Sequence, residues 1–136
     1  LVRCDERLLN HRGGTWWARP ELKGGWELSD ALIPWRAEAS GLFAAAHPSP
    51  PWVWKDPRAC VLMPFWDLVL GASTPRIVVL RNPLESAASL NARNGMPRDI
   101  ALALGERSLR AALRDSAGRP VLITAYDHPH RGRAPR

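Results

Sequence analysis

Lysine is nearly missing from this chain. Of its 19 basic residues, only Lys23 and Lys55 are lysines, and the remainder are arginines. With abundant alanine and 13 prolines, that bias points to GC-rich coding and a bacterial source. It also makes each lysine conspicuous. Long apolar runs are missing too. Ala31 to Ala46 is broken by Pro34, Arg36 and Glu38, and Cys60 to Leu70 by Pro64 and Asp67. Neither is the uninterrupted ~18-residue run that spans a bilayer. The first ten residues hold Arg3, Asp5, Glu6 and Arg7 around no apolar segment, so they do not read as a secretory signal. Cysteine is sparse. Cys4 and Cys60 form neither a CxxC pair nor a zinc pattern, so they read as two free thiols of a cytoplasmic protein. No metal is implied.

What is present fits one small domain. The chain has 136 residues, of which 46% are hydrophobic, enough for a real core. The net charge of +6 suggests an anionic partner. Half of it comes from Arg131, Arg133 and Arg136 in residues 128–136, where no acid stands. That segment reads as a basic tail, expected to be disordered, and the domain as residues 1–127. No basic stripe lies along any one helix, as a duplex-binding surface would need, so nucleic acid is not an expected partner.

The pattern along the chain predicts an α/β domain. Residues 1–26 read as irregular, with glycine- and tryptophan-rich loops at His11–Trp17 and Lys23–Trp26. A helix is predicted from about Ser29 to Ala46, with Ser29 or Asp30 as its cap and Leu32, Trp35, Ala39 and Phe43 at helical spacing. Trp52 to Asp56 reads as a short strand ended by Pro57. Cys60 to Gly71 reads as a helix, or a loop with helical turns, around Pro64. Arg76 to Leu80, with Ile-Val-Val-Leu, reads as a central parallel strand covered on both faces. Pro83 opens a helix to about Arg93, closed by Asn94-Gly95. Pro97 to Asp115 is another helix, and Val121 to Ala125 a third strand. The order predicts a parallel sheet flanked by helices.

In such sheets, ligands bind beyond the carboxyl ends of the strands. Lys55, Asp56 and Arg58 lie at that end of the first predicted strand, Arg81 and Asn82 at that of the second, and Tyr126 and Asp127 at that of the third. Arg81 stands just before a proline-initiated helix that carries Ser86 and Ser89 on one side. A fixed cation and hydroxyls near a helix N-terminus suit a phosphate group. Trp52 and Trp54 share one strand face and read as core. Trp16 and Trp17 sit in a loop, where they either pack or line a pocket. The pattern alone leaves open a non-catalytic module that binds anions or a protein partner. A P-loop kinase-like fragment would need a Gly-Lys-Ser/Thr loop, which is absent.

These residues resemble the sulfotransferases that use 3′-phosphoadenosine 5′-phosphosulfate (PAPS). The likeness rests on Trp52-Val53-Trp54-Lys55-Asp56-Pro57-Arg58, on Ile77-Val78-Val79-Leu80-Arg81-Asn82-Pro83 with Ser89 eight residues after Arg81, and on Val121 to Asp127. It implies a P-loop-NTPase-like sulfotransferase fold and transfer of a sulfuryl group from PAPS to a hydroxyl or amine of a small-molecule or glycan acceptor. It implies that Arg81 and Ser89 hold the 3′-phosphate, with Arg58 assisting. Lys55 would neutralise charge at the transferring group, and Asp56 would be the base. The family's first strand and its Arg/Lys-Ser-Gly-Thr loop, which holds the 5′-phosphosulfate on backbone N–H groups, have no counterpart. His11-Arg12-Gly13-Gly14-Thr15 is glycine-rich but follows no apolar strand. The expectation is therefore a partial domain that lacks its N-terminal βα unit and is inactive alone.

Overall fold

A computed structural model describes residues 1–126; Asp127 and the predicted tail, 128–136, lie outside the described residues. The architecture is mixed α/β. Among the described residues, in chain order, it holds helices α1 (Val2–His11), α2 (Ile33–Ala46) and α3 (Ala59–Leu70), strand β1 (Arg76–Arg81), helices α4 (Pro83–Asn94) and α5 (Arg98–Asp115), and strand β2 (Val121–Tyr126). Two single 3-10 turns, Trp26–Leu28 and Asp30–Leu32, lead into α2. No described helix is long and apolar enough to cross a membrane.

Among the described residues the sheet has two strands, β1 and β2, which pair in parallel from Arg76↔Val121 to Arg81↔Tyr126. A parallel pair needs a crossover, and α4 and α5 supply it. Local chemistry sets the ends of α4. Pro83 is its first residue, Asn82 Oδ1 accepts from the Leu84 N–H at 2.9 Å, and Gly95 terminates it at φ 65°. That left-handed geometry costs glycine nothing. Asn91 Nδ2 then donates to the Met96 carbonyl at 2.9 Å, tying the turn back to the helix.

The main core lies away from the sheet. Leu8 and Leu9 of α1, Leu32, Ala39 and Phe43 around α2, and Leu62, Phe65 and Trp66 of α3 are all buried together. A smaller cluster of Ala87, Met96, Ala101 and Leu104 joins α4 to α5. Trp16 touches both. At the start of the sheet, Arg76 is buried and donates to Asp67 Oδ1 of α3 and to the Asp115 carbonyl that ends α5. Arg119 Nη2 approaches Asp67 Oδ2 at 2.9 Å. One carboxylate thus gathers the approaches to both strands onto the end of α3.

Four expectations need correction. Residues 1–26 are not irregular throughout: α1 occupies Val2–His11, because Cys4, Asp5, Leu8 and Leu9 recur at helical spacing and bury one face. Trp52 to Asp56 is no strand; it has no ladder partner among the described residues. β1 is not covered on both faces, since Ile77 is 60% and Val79 59% exposed. The α-helix expected from Ser29 begins at Ile33, and Ser29 provides no side-chain cap. Cys4 and Cys60 are free thiols, as expected.

Candidate functional site

One large cavity, about 710 Å³, lies between α3, β1, α4, α5 and the segment Trp52–Asp56. Lys55, Asp56, Arg81 and Ser86 all line it. A turn at 71–75 separates α3 from β1, and the Asp67–Arg76 pair holds the end of α3 against the start of β1.

Most polar side chains along the cavity are already committed. Asp67 and Arg76 pair with each other. Glu106 pairs with Arg110 at 2.8 Å. Ser108 Oγ accepts from Arg19 Nη1 at 2.7 Å, a bond that fixes the loop before α2 onto α5. Arg81 is held lightly, its Nε 3.7 Å from Glu85 Oε2 and its guanidinium 5.8 Å from the Tyr126 ring centroid. An exposed i,i+4 pair of this length contributes only ~0.3–0.5 kcal/mol, so it yields to a stronger anion. Lys55 is exposed, and neither it nor Ser86 makes a side-chain hydrogen bond or ion pair among the described residues.

Asp56 and Arg58 are bound into a different network. Asp56 Oδ1 accepts from the Arg58 N–H at 2.8 Å and from Arg58 Nη1 at 3.1 Å. Arg58 Nη2 also bonds Glu6 of α1. Arg58 is thereby turned to two carboxylates and is not part of the cavity wall. Asp56 Oδ2 is buried and has no hydrogen-bond partner. Ser89 is exposed on α4 and also lies outside the cavity lining. The structure brings together Lys55, Asp56 and Arg81; it places Arg58 behind Asp56 and Ser89 on the open side of α4. Asp127 lies outside the described residues.

The α4 N-terminus offers an anion less than its sequence suggests. Pro83 has no N–H, Asn82 takes that of Leu84, and Ser86 N–H bonds the Asn82 carbonyl at 3.0 Å. Only the Glu85 N–H remains, beside its own carboxylate. Attraction for an anion must come from the Arg81 and Lys55 charges rather than from the helix end. The glycine-rich turn is likewise closed. The N–H groups of Gly13, Gly14 and Thr15 donate to the carbonyls of Asn10, Leu9 and Ala18, which leaves none to cradle a phosphate. Gly14 cannot carry a side chain, because a Cβ there would stand 2.2 Å from Pro20 Cδ.

Two features escaped sequence reasoning. Ser86 lies on the cavity wall, one turn nearer Arg81 than Ser89; helical spacing placed both serines on one side and could not rank them. Asp5 is fully buried behind Asp56. Burial in the α1–α3 interface, then the neighbouring Asp56 carboxylate, push its pKa from 3.8 up to about 7. Nothing in the sequence marks it beyond its place on the buried face of α1. Burial also raises the pKa of Cys60, against the pull of Arg19, so this cavity-lining thiol is held protonated. Among the described residues no group of histidine, cysteine and carboxylate side chains could hold a metal ion. No protein-family model, no curated protein and no solved structure matches the chain.

Proposed function

We propose that this chain carries the nucleotide 3′-phosphate site and part of the transfer machinery of a PAPS-dependent sulfotransferase. The observation that carries the reading is that Lys55 and Arg81, the last residue of β1, line one cavity, with neither cation tied to a strong counter-ion. Arg81 is aimed at the 3′-phosphate, where a guanidinium gives paired, geometrically specific hydrogen bonds. Ser89, and Ser86 one turn nearer, offer hydroxyl donors along the same helix. Arg58 acts at one remove, through its hold on Asp56.

In the reaction, an acceptor oxygen or nitrogen forms a bond to sulfur while the bond from sulfur to the bridging phosphate oxygen breaks. Adenosine 3′,5′-bisphosphate leaves with that electron pair. Lys55 offsets the negative charge that collects on the bridging oxygen, and the acceptor proton passes to Asp56, which lines the same cavity. Such a transfer relies on positioning and electrostatic stabilisation rather than on a covalent enzyme intermediate. The reading assigns no group to the 5′-phosphosulfate, so binding of the donor rests on its 3′-phosphate.

Titration calorimetry with adenosine 3′,5′-bisphosphate tests this. Arg81→Ala is expected to weaken binding about tenfold or more, the loss of one charge-assisted contact of ~1.4 kcal/mol. Equal affinity in the two proteins contradicts the role of Arg81.

A further inference from the structure

A second cavity, about 200 Å³, is lined by Glu6, Asn10, Thr15, Trp16 and Trp17. It shares no lining residue with the large one. Glu6 and Asn10 are exposed and stand one helical turn apart on α1, which makes them neighbours on its surface. The loop after α1 brings the two tryptophans to them.

That loop is pinned at both ends. The N–H groups of Gly13 and Gly14 donate back to the carbonyls of Asn10 and Leu9 at 3.0 Å. The Thr15 N–H donates to the Ala18 carbonyl at 2.8 Å, and the Ala18 N–H to Thr15 Oγ1 at 3.0 Å. Arg19 Nε donates to the Trp16 carbonyl at 3.2 Å, while Arg19 Nη1 is anchored on Ser108 of α5. The indole pair is in place before a ligand arrives, so binding costs little in ordering.

The two rings differ in how far they are committed. Trp16 packs against both core clusters. The guanidinium groups of Arg19 and Arg58 stand 5.6 and 5.8 Å from its ring centroid. Trp17 is 5.8 Å from Trp16, inclined at 44°, belongs to neither cluster and is 48% exposed. Tryptophan is highly buried on average. One that a fixed loop leaves open beside a cavity is a ready stacking surface.

Charge narrows the ligand. Glu6 Oε1 bonds Arg58, which offsets the carboxylate. Glu6 Oε2 and the Asn10 amide make no hydrogen bond among the described residues. A cation would meet Arg19 and Arg58 around Trp16, and an anion would meet Glu6. A neutral ligand meets neither penalty. It must still satisfy an aromatic face, a carboxylate oxygen, an amide and a hydroxyl at close quarters. A sugar ring does both: the C–H groups of its flat face stack on an indole, and its neighbouring hydroxyls each donate and accept. The volume falls below the ~300–1,000 Å³ of sites for drug-sized ligands, which suits one ring and not a nucleotide.

We propose that this cavity binds a single neutral pyranose ring, stacked on Trp17 and hydrogen-bonded by Glu6 and Asn10. The site is independent of the donor reading, since neither Lys55 nor Arg81 takes part in it.

The probe is methyl β-D-glucopyranoside, whose equatorial hydroxyls leave both ring faces to C–H groups, added to the full chain. Saturation-transfer NMR reads contact with the sugar, and proton–nitrogen spectra read the indole N–H groups. The expected result is saturable binding, saturation concentrated on the protons of one ring face, and a shift of the indole signal that Trp17→Ala removes. Affinity is expected to fall about tenfold or more in Trp17→Ala and about threefold or more in Asn10→Ala. Trp17→Tyr keeps a flat ring and is expected to stay within about threefold of the wild type. The proposal is overturned by no saturable binding up to about 50 mM, or by undiminished affinity in Trp17→Ala or Asn10→Ala. Equal or tighter binding of tetramethylammonium overturns it in favour of a cation cage, and that of nicotinamide in favour of a slot for any flat ring.

Discussion

The indole N–H of Trp66 donates to Oδ1 of Asp5 at 2.9 Å, joining α3 to α1 across 61 residues of sequence inside the main core. Oδ2 of the same carboxyl has no partner, and neither does Oδ2 of Asp56 nearby. Burial and the Asp56 charge raise the Asp5 pKa to about 7, while the Trp66 bond and Arg58 pull it down. Arg58 bonds Asp56 and Glu6 directly and acts on Asp5 only through its charge.

This arrangement fixes a pH dependence of stability. Asp5 has a pKa near 3.8 when unfolded and about 7 when folded, so the folded state holds the extra proton between those values. Stability is greatest below the unfolded value, declines as pH rises through about 7, and is level above it. The full decline is on the order of 4 kcal/mol. Asp5→Asn keeps an acceptor oxygen for Trp66 and has no proton to lose. Urea unfolding from pH 4.5 to 8 is expected to show that slope in the wild type and a much flatter profile in Asp5→Asn, with the variant the more stable protein at pH 8.

Arg76 bonds Asp67 and the end of α5 from a buried position. Removing one partner of a buried pair leaves the other charge uncompensated, at a cost of ~3–5 kcal/mol. Arg119 also reaches Asp67 and limits the loss. Arg76→Met is therefore expected to cost about 3 kcal/mol, and the double variant with Arg119→Met more than the sum of the two single ones. Chemical denaturation of the four proteins checks this.

Phe65 is fully buried against Trp26 and Trp66, with ring centroids 6.4 and 5.7 Å away. Phe65→Ala opens a cavity where α1, α2 and α3 meet, and is expected to cost ~3–5 kcal/mol. Asn82→Ala removes the α4 cap and is expected to cost only ~1 kcal/mol. Thermal unfolding that ranked Asn82→Ala as the more damaging of the two would contradict the core as described.

Much of the fold was legible in the sequence where one force dominates. Ile-Val-Val-Leu announced β1, Pro83 and Gly95 bounded α4, and the run from Arg98 to Asp115 announced α5; each end carries its own chemical marker. α1 was missed although its apolar spacing was present, because Arg3, Asp5, Glu6 and Arg7 disguised a helix with a single narrow buried face. Trp52–Asp56 has the alternation of a strand but no partner, and pairing is a property of the whole sheet that no local pattern reveals. At the site, Lys55, Asp56 and Arg81 line one cavity, although the segment that carries Lys55 and Asp56 is not the strand their sequence predicts. The diversion of Arg58 to Glu6 depends on α1 and was invisible without it.

The most direct test of the donor reading compares two ligands in the wild-type protein. Calorimetry at low ionic strength measures adenosine 3′,5′-bisphosphate against adenosine 5′-monophosphate, which lacks only the 3′-phosphate. The account predicts that the bisphosphate binds about tenfold tighter or more, and that added salt narrows the gap. Equal affinity for the two nucleotides would contradict it.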